Sequence, residues 1–230
     1  MTQSGHSLFK AEDVRKLDQL AIEFQGVSGY ELMCAAALSA WKHLIARWPK
    51  VTQIIVYCGA GNNAGDGYVL ARLAKEQGYH IKLVQLCEAK NLKGDALTAF
   101  NDYVLADGEY EIFKTINEDE ERHKIDLAMD VSEKVVIVDA LLGTGLQRPL
   151  EGIWQQAVHL INNDQASVMA LDIPSGLDSD TGCQSGEAVK ADVTVTFIGR
   201  KRGMYTADGR DCCGTIIFEC LGVRASIYKR

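Results

Sequence analysis

The stretch from Ile54 to Gly78, IIVYCGAGNNAGDGYVLARLAKEQG, constrains the fold more than any other part of the chain. Its first five residues are apolar and partly β-branched, the composition of a buried strand. A glycine-dense turn follows from Gly59 to Gly67, and Tyr68 to Gln77 then has helical spacing. Val69, Leu70, Leu73 and Ala74 share one face of that helix, and Gly78 is its stop. A strand, a tight loop and a helix start form the half-unit of a parallel α/β sheet. Such a loop aims backbone N–H groups and the positive end of a helix dipole at an anion, most often a phosphate.

Gly59, Gly61 and Ala64 fit the G-x-G-x-x-G/A pattern of a dinucleotide loop, a weak signal alone. The acidic residue that should close the next strand, Glu88, comes later than the spacing of about 20 residues that the pattern wants. Asn62, Asn63 and Asp66 also place amide and carboxylate oxygens where a pyrophosphate loop is bland. Two readings stay open at this point: oxygens for a hard cation or a substrate hydroxyl, or side chains that only shape the turn.

The rest of the chain repeats the motif. Val14, Leu17, Leu20, Ala21 and Phe24 predict an amphipathic helix that ends at Gly26. Ser28 or Gly29 caps a second helix to about Trp48, rich in small residues, whose apolar surface is core packing, a dimer face or a wall of the ligand site. Strands are expected at His80–Leu86, Glu111–Ile116, Val135–Ala140 and Val168–Ile173, with helices at Gly94–Val104 and about Ile153–Asn162. Asn117 to Lys124 is a charge run, read as a solvated face. Asp139 ends one apolar strand and precedes a second glycine loop, with Gly143, Thr144, Gly145, Arg148 and Pro149. Asp172 ends another, before Pro174, Ser175 and Gly176. An unpaired carboxylate at such a position is expensive and needs a cation, a donor or a proton; helix capping is the plainer explanation. The segments 191–199 and 214–222 read as strands around a polar turn. Lys201 and Gly203 lie just past the first of them, either bordering the site or in a flexible basic turn. In open parallel sheets ligands bind beyond the carboxyl ends of the strands, so the three polar clusters should converge there.

Composition narrows the function classes. A chain of 230 residues with 47% hydrophobic content supports one domain with a full core. A net charge of −7 argues against nucleic acid and acidic membranes as partners. There is no apolar run for a membrane span and no signal-peptide core at the N-terminus, which predicts a cytoplasmic protein. Seven cysteines without CxxC spacing predict free thiols and no zinc site, with Cys212 and Cys213 redox-sensitive only if exposed.

The segments CGAGNNAGDGYVLARLA, VDALLGTGLQRPLEG, LDIPSGLDSDTG and ADVTVTF, in that order, resemble the YjeF N-terminal domain, the NAD(P)H-hydrate epimerase family. The resemblance runs from about Lys10 to Val223, with one departure: Ala64 and Gly65 stand where the family usually has two glycines. It implies an α/β fold, a three-layer αβα Rossmann-like sandwich with a mostly parallel central sheet. It also implies an epimerase that interconverts R and S hydrates of NADH and NADPH (NADHX and NADPHX). By the same resemblance Asn63, Asp139 and Ser175 are potassium (K+) ligands. Asn62, Asn63, Ala64, Gly65, Asp66, Gly143, Thr144, Gly145, Leu146, Gln147, Arg148, Pro149 and Asp172 contact the substrate. The implied partners are an ATP- or ADP-dependent NAD(P)H-hydrate dehydratase and a second copy of the chain. Hydroxyl loss and return need a proton donor and a base; Asp172 is the first candidate and Asp139 the second. A non-catalytic binding module of the same fold and an NAD(P)-dependent oxidoreductase are the competing readings.

Overall fold

The computed structural model describes residues 7–114, 134–145, 149–184 and 186–223. The charge run 117–124 and the loop residues Leu146, Gln147 and Arg148 lie outside them.

The alternating pattern gives seven strands in one sheet: β2 (Gln53–Cys58), β3 (His80–Gln85), β4 (Tyr110–Ile112), β5 (Val135–Ala140), β6 (Ser167–Leu171), β7 (Val193–Phe197) and β9 (Thr215–Glu219). Their order is β4-β3-β2-β5-β6-β7-β9, and every pair is parallel. The last two strands are therefore not a hairpin about a polar turn: Val193 lies beside Thr215 in parallel register. The connection between them holds a 3-10 turn, Arg202–Tyr205, and one helical turn, Gly209–Cys212.

Among the described residues five helices cover the sheet: α1 (Ala11–Gln25), α2 (Gly29–Arg47), α3 (Asn62–Glu76), α4 (Gly94–Leu105) and α5 (Ile153–Asn163). Alternate residues of β5 divide two cores. Val136, Val138 and Ala140 pack with α1, α2, α3 and α4; Val135 and Ile137 pack with Ala157, Val158 and Ile161 of α5. The result is the expected αβα sandwich, with β5 buried along its whole length as a central parallel strand requires. Ser28, not Gly29, caps α2. Its Oγ accepts the Glu31 N–H at 3.1 Å while Glu31 Oε2 accepts the Ser28 N–H at 2.7 Å, a complete capping box. The small residues Ala36, Ala37 and Ala40 of α2 face inward and are spent on packing within the protomer.

The glycine-dense segment differs from its sequence reading. The loop is only Gly59–Gly61, because α3 already begins at Asn62. Gly67 serves close packing, not turning: a Cβ there would sit 2.6 Å from the Ala140 Cβ and 2.9 Å from the Cys58 Sγ. Helix α3 thus lies directly against β2 and β5, which a glycine count cannot distinguish from a long loop.

One pairing had no sequence signal. Strand β1 (Leu8–Phe9) runs parallel to β8 (Arg200–Lys201). The Ala11 N–H at the start of α1 donates to Asp180 Oδ1 at 2.7 Å, so a loop 169 residues away supplies the helix cap. Among the described residues no helix is long and apolar enough to cross a membrane. All seven cysteines are free, and Cys212 and Cys213 are buried, without the exposure a redox role needs.

Candidate active site

Strand order reverses between β2 and β5, adjacent strands whose following connections leave in opposite directions. A crevice forms at such a switch point, beyond the carboxyl ends of the strands. Here it is narrow at its base: a Cβ on Gly59 would fall 1.9 Å from the Leu141 carbonyl oxygen, so only glycine lets the two loops meet.

At that junction lies a buried polar knot. Asp139, in register with Tyr57 and Ala170, is 0% exposed. Its Oδ2 accepts the Ser175 N–H at 2.8 Å; its Oδ1 accepts the Ser175 Oγ–H at 2.7 Å and the Leu141 N–H at 3.2 Å. Burial lifts its pKa to about 6, against the pull of the Ser175 and Leu141 hydrogen bonds. The Leu142 N–H donates to Ser175 Oγ at 2.9 Å, and the Leu142 carbonyl accepts from Asn63 Nδ2 at 3.1 Å. Asn63 is 6% exposed, yet its Oδ1 has no hydrogen-bond partner. A buried acceptor left this way needs a cation or a donor from a ligand. One carboxylate with amide, hydroxyl and carbonyl oxygens is a donor set for a hard cation. Among the described residues, no three His, Cys, Asp or Glu side chains gather as a metal site.

The second cluster centres on Asp172. It stands one residue past β6 with φ of +66°, in the left-handed region that Asp tolerates better than most residues. The Asp172 N–H is held by the Val195 carbonyl at 2.8 Å. Oδ1 takes an ion pair from Lys201 and the Phe197 N–H at 3.3 Å; Oδ2 lies on the side of Gly143. Lys201 is 0% exposed, and its Nζ also donates to Thr196 Oγ1 at 2.9 Å and to the Phe197 carbonyl at 3.2 Å. It is a built-in counterion, not a flexible basic turn.

Both clusters border one cavity of about 460 Å³. Asn62, Asn63, Asp66, Gly143, Thr144, Gly145 and Asp172 line it. Ala64 and Gly65 do not; both are buried within α3. Pro149 is exposed and does not line it either. Asp139 and Ser175 lie beneath the wall, so Asp139 has no face on the cavity. The apolar side is made by Leu32, Met33, Ala36, Phe197 and Leu221.

The structure adds Asp18 of α1 and Asp95 of α4 to the cavity wall, both overlooked in the sequence. A signal for Asp18 existed: with Val14, Leu17 and Ala21 it completes the i, i+3, i+4, i+7 stripe, placing a carboxyl on the buried face of α1. Burial, and then the negative charge of Asp172, raise its pKa from 3.8 to about 6, with Lys201 opposing. Asp66 is pushed well above the ordinary carboxylate range by burial, and then by Asp172 and Asp18. Asp18, Asp66 and Asp172 thus share one buried cation, Lys201.

Residues 29–203 match the family model described as YjeF-related protein N-terminus. The chain is 40% identical, over 96% of its length, to the bifunctional NAD(P)H-hydrate repair enzyme Nnr of Coxiella burnetii, but spans only 43% of that protein. It is 32% identical to the NAD(P)H-hydrate epimerase of Limosilactobacillus fermentum, covering 90% of this chain and 93% of that one. The crystal structure of yeast ynu0 superposes with a TM-score of 0.69 at 20% identity, over 88% of this chain and 85% of the yeast chain, a likeness of fold.

Proposed function

The chain belongs to the family of YjeF-related protein N-termini, and we propose that it is an isomerase, an NAD(P)H-hydrate epimerase acting in nicotinamide nucleotide repair. The observation that carries this reading is the cavity itself. It pairs a positioned carboxylate, Asp172, with proton-holding carboxyls beside it, at the N-terminus of α3. Similarity to a relative named NAD(P)H-hydrate epimerase across nine-tenths of both chains supports the substrate class.

Epimerisation at the hydrated ring carbon needs the hydroxyl to leave and water to return to the opposite face. The ring nitrogen lone pair supplies the electrons for departure, leaving an iminium cation. The Asp172 carboxylate, and the carboxylate left when a neighbouring donor gives up its proton, favour that positive charge over the neutral hydrate, the differential binding that accelerates a reaction. Asp172, fixed by Lys201 and the Phe197 N–H, accepts the proton of the returning water. Asp139 is the weaker candidate, because its oxygens are engaged by Ser175 and Leu141 below the wall. Substrate contacts come from Asn62, Asn63, Asp66, Gly143, Thr144 and Gly145, with α3's N-terminal N–H groups available to a phosphate.

Asn63 Oδ1, Ser175 Oγ, the Asp139 carboxylate and the Leu142 carbonyl would hold K+, and the unpartnered Asn63 oxygen fits that assignment. A bound K+ would supply a fixed positive charge beside the loops after β2, β5 and β6 that carry these residues. The 230 residues are read as a single domain, and the cytoplasm is the proposed compartment. Its products feed an ATP- or ADP-dependent dehydratase, an activity for which the longer bifunctional relatives have room. Homodimerisation would use the outer face of α2, where Ala35 and Leu38 are exposed; a monomeric mass at micromolar concentration refutes it.

The test is chromatographic equilibration of separated S and R NADPH hydrate, with sodium or potassium present, against an enzyme-free control. Acceleration above the spontaneous rate, greater in potassium, is expected. Folded protein that binds the hydrate without acceleration would make this a binding module.

A further inference from the structure

Resting on the epimerase reading, we propose that Asp18 of α1 is a catalytic residue, the proton donor to the departing hydroxyl, and that Asp172 is its ionised counterpart. Four observations carry this. Asp18 lines the same cavity as Asp172, although it comes from an element outside the sheet. Asp172 is already engaged: its Oδ1 is held by buried Lys201 and by a backbone N–H. Among the described residues, Asp18 has no such hydrogen-bond or ion-pair partner. Asn63, with its buried, unpartnered Oδ1, lines the same cavity, which marks it as a place where a ligand is received.

The charges facing Asp18 are Asp66 from α3, Asp172 from the loop after β6 and Lys201 from β8; Asp95 of α4 and, from its own helix, Arg15 share the cavity wall. One buried ammonium cannot balance three carboxylates in a site of low dielectric, so protons stay on the carboxyls least well paired. Burial and Asp172 hold a proton on Asp18 to about pH 6 before any substrate displaces water from the cavity. Bringing a hydrate against it removes solvent and extends that range upward.

The step balances as follows. The Asp18 carboxyl gives its proton to the C–OH oxygen. The C–O bond breaks with its electron pair on oxygen, releasing water. The ring nitrogen lone pair forms the C=N bond of the iminium. Water then adds to the other face, its proton passes to the Asp172 carboxylate, and the C=N pair returns to nitrogen. Asp18 leaves the turnover ionised and Asp172 protonated, which is the state that runs the reverse epimerisation; exchange with solvent restores the first state.

The position of α1 is fixed by the β1–β8 pairing and by the Ala11 N–H to Asp180 Oδ1 bond, so Asp18 is held where the chemistry needs it by contacts outside the cavity. The test compares wild type, Asp18→Asn and Asp18→Glu, reading kcat and the equilibrium dissociation constant for NADPH hydrate separately. Asp18→Asn is expected to lower kcat by about 100-fold, the smaller end of a general-acid effect, with hydrate affinity within about threefold of wild type. Asp18→Glu, which keeps a carboxyl, is expected to recover about a tenth of wild-type kcat or more. Asp18→Asn retaining kcat within about threefold overturns the proposal, as does a loss seen only in affinity. Should the Asn variant not fold, Asp18→Glu decides: kcat no better than the spontaneous rate in a folded protein that binds the hydrate also overturns a donor role. A wild type that does not epimerise refutes the underlying reading instead, and is distinguished by the first arm.

Discussion

Asp18→Asn should make the protein more stable as it makes it less active, by an amount the structure sets. The carboxyl's pKa rises from 3.8 to about 6 on folding, first by burial and then by repulsion from Asp172. At about 1.36 kcal/mol per unit, ionising this group in the folded state costs about 3 kcal/mol. Asp18 is only partly buried, and solvent screening brings that to about 1–2 kcal/mol. The direction follows from linkage. Between the two pKa values the folded state binds more protons than the unfolded state, so stability falls as pH rises through about 4 to 6, and the penalty is complete above that window. Asparagine, which matches the protonated form in shape and never ionises, removes the penalty. Urea unfolding should show the variant more stable by about 1–2 kcal/mol near pH 8, about half that near pH 5, and level with wild type below about pH 4. A pH-independent difference, or an Asn variant less stable than wild type near pH 8, refutes the assignment of Asp18 as a strained, proton-holding carboxyl.

Lys201→Met should be costly, about 3 kcal/mol or more, because it strands Asp172 without its counterion while Asp66 and Asp18 remain; adding Asp172→Asn should recover part of the loss in a double-mutant cycle. Gly67→Ala should destabilise by about 1–3 kcal/mol in urea unfolding, since the new methyl meets Ala140 and Cys58 at 2.6 and 2.9 Å. Ser28→Ala, which breaks the α2 capping box, should cost about 1 kcal/mol and leave kcat unchanged. Potassium should raise Tm more than sodium at equal ionic strength, and Asn63→Ala should abolish the difference; an unchanged potassium effect in that variant would remove Asn63 from the cation site.

Strands were the legible part of the fold, because a parallel sheet covered on both faces writes itself as short apolar runs such as Val135–Ala140. The start of α3 was not, because glycine is ambiguous between a turn and close packing; only contact with Ala140 and Cys58 shows that Gly67 is helical. Nor was the β1–β8 pair, whose two-residue strands carry no periodicity. At the site, oxygen-bearing residues at strand ends pointed to the switch point, and that logic gathered Asn63, Asp66, Asp139, Asp172 and Ser175. The sequence ranks Asp172 ahead of Asp139, although both end apolar strands and nothing in the strand pattern explains the order. Burial separates them: Asp139 is locked below the cavity wall by Ser175, and Asp172 borders the cavity with Lys201 behind it. Asp18 was hidden by its distance in sequence from every loop motif, although its place on the buried stripe of α1 was readable as an anomaly. Lys201 was visible only as a charge near a strand end; its burial is a tertiary fact.

The central claim, that this cavity removes and returns a hydroxyl, is tested most directly by incubating one purified epimer of NADPH hydrate in oxygen-18 water and following both stereochemistry and label by chromatography and mass spectrometry. The other epimer is expected to form faster than in the enzyme-free control and to carry the heavy oxygen, and Asp172→Asn is expected to stop both. Inversion without incorporation of label, or no inversion beyond the control, would contradict it.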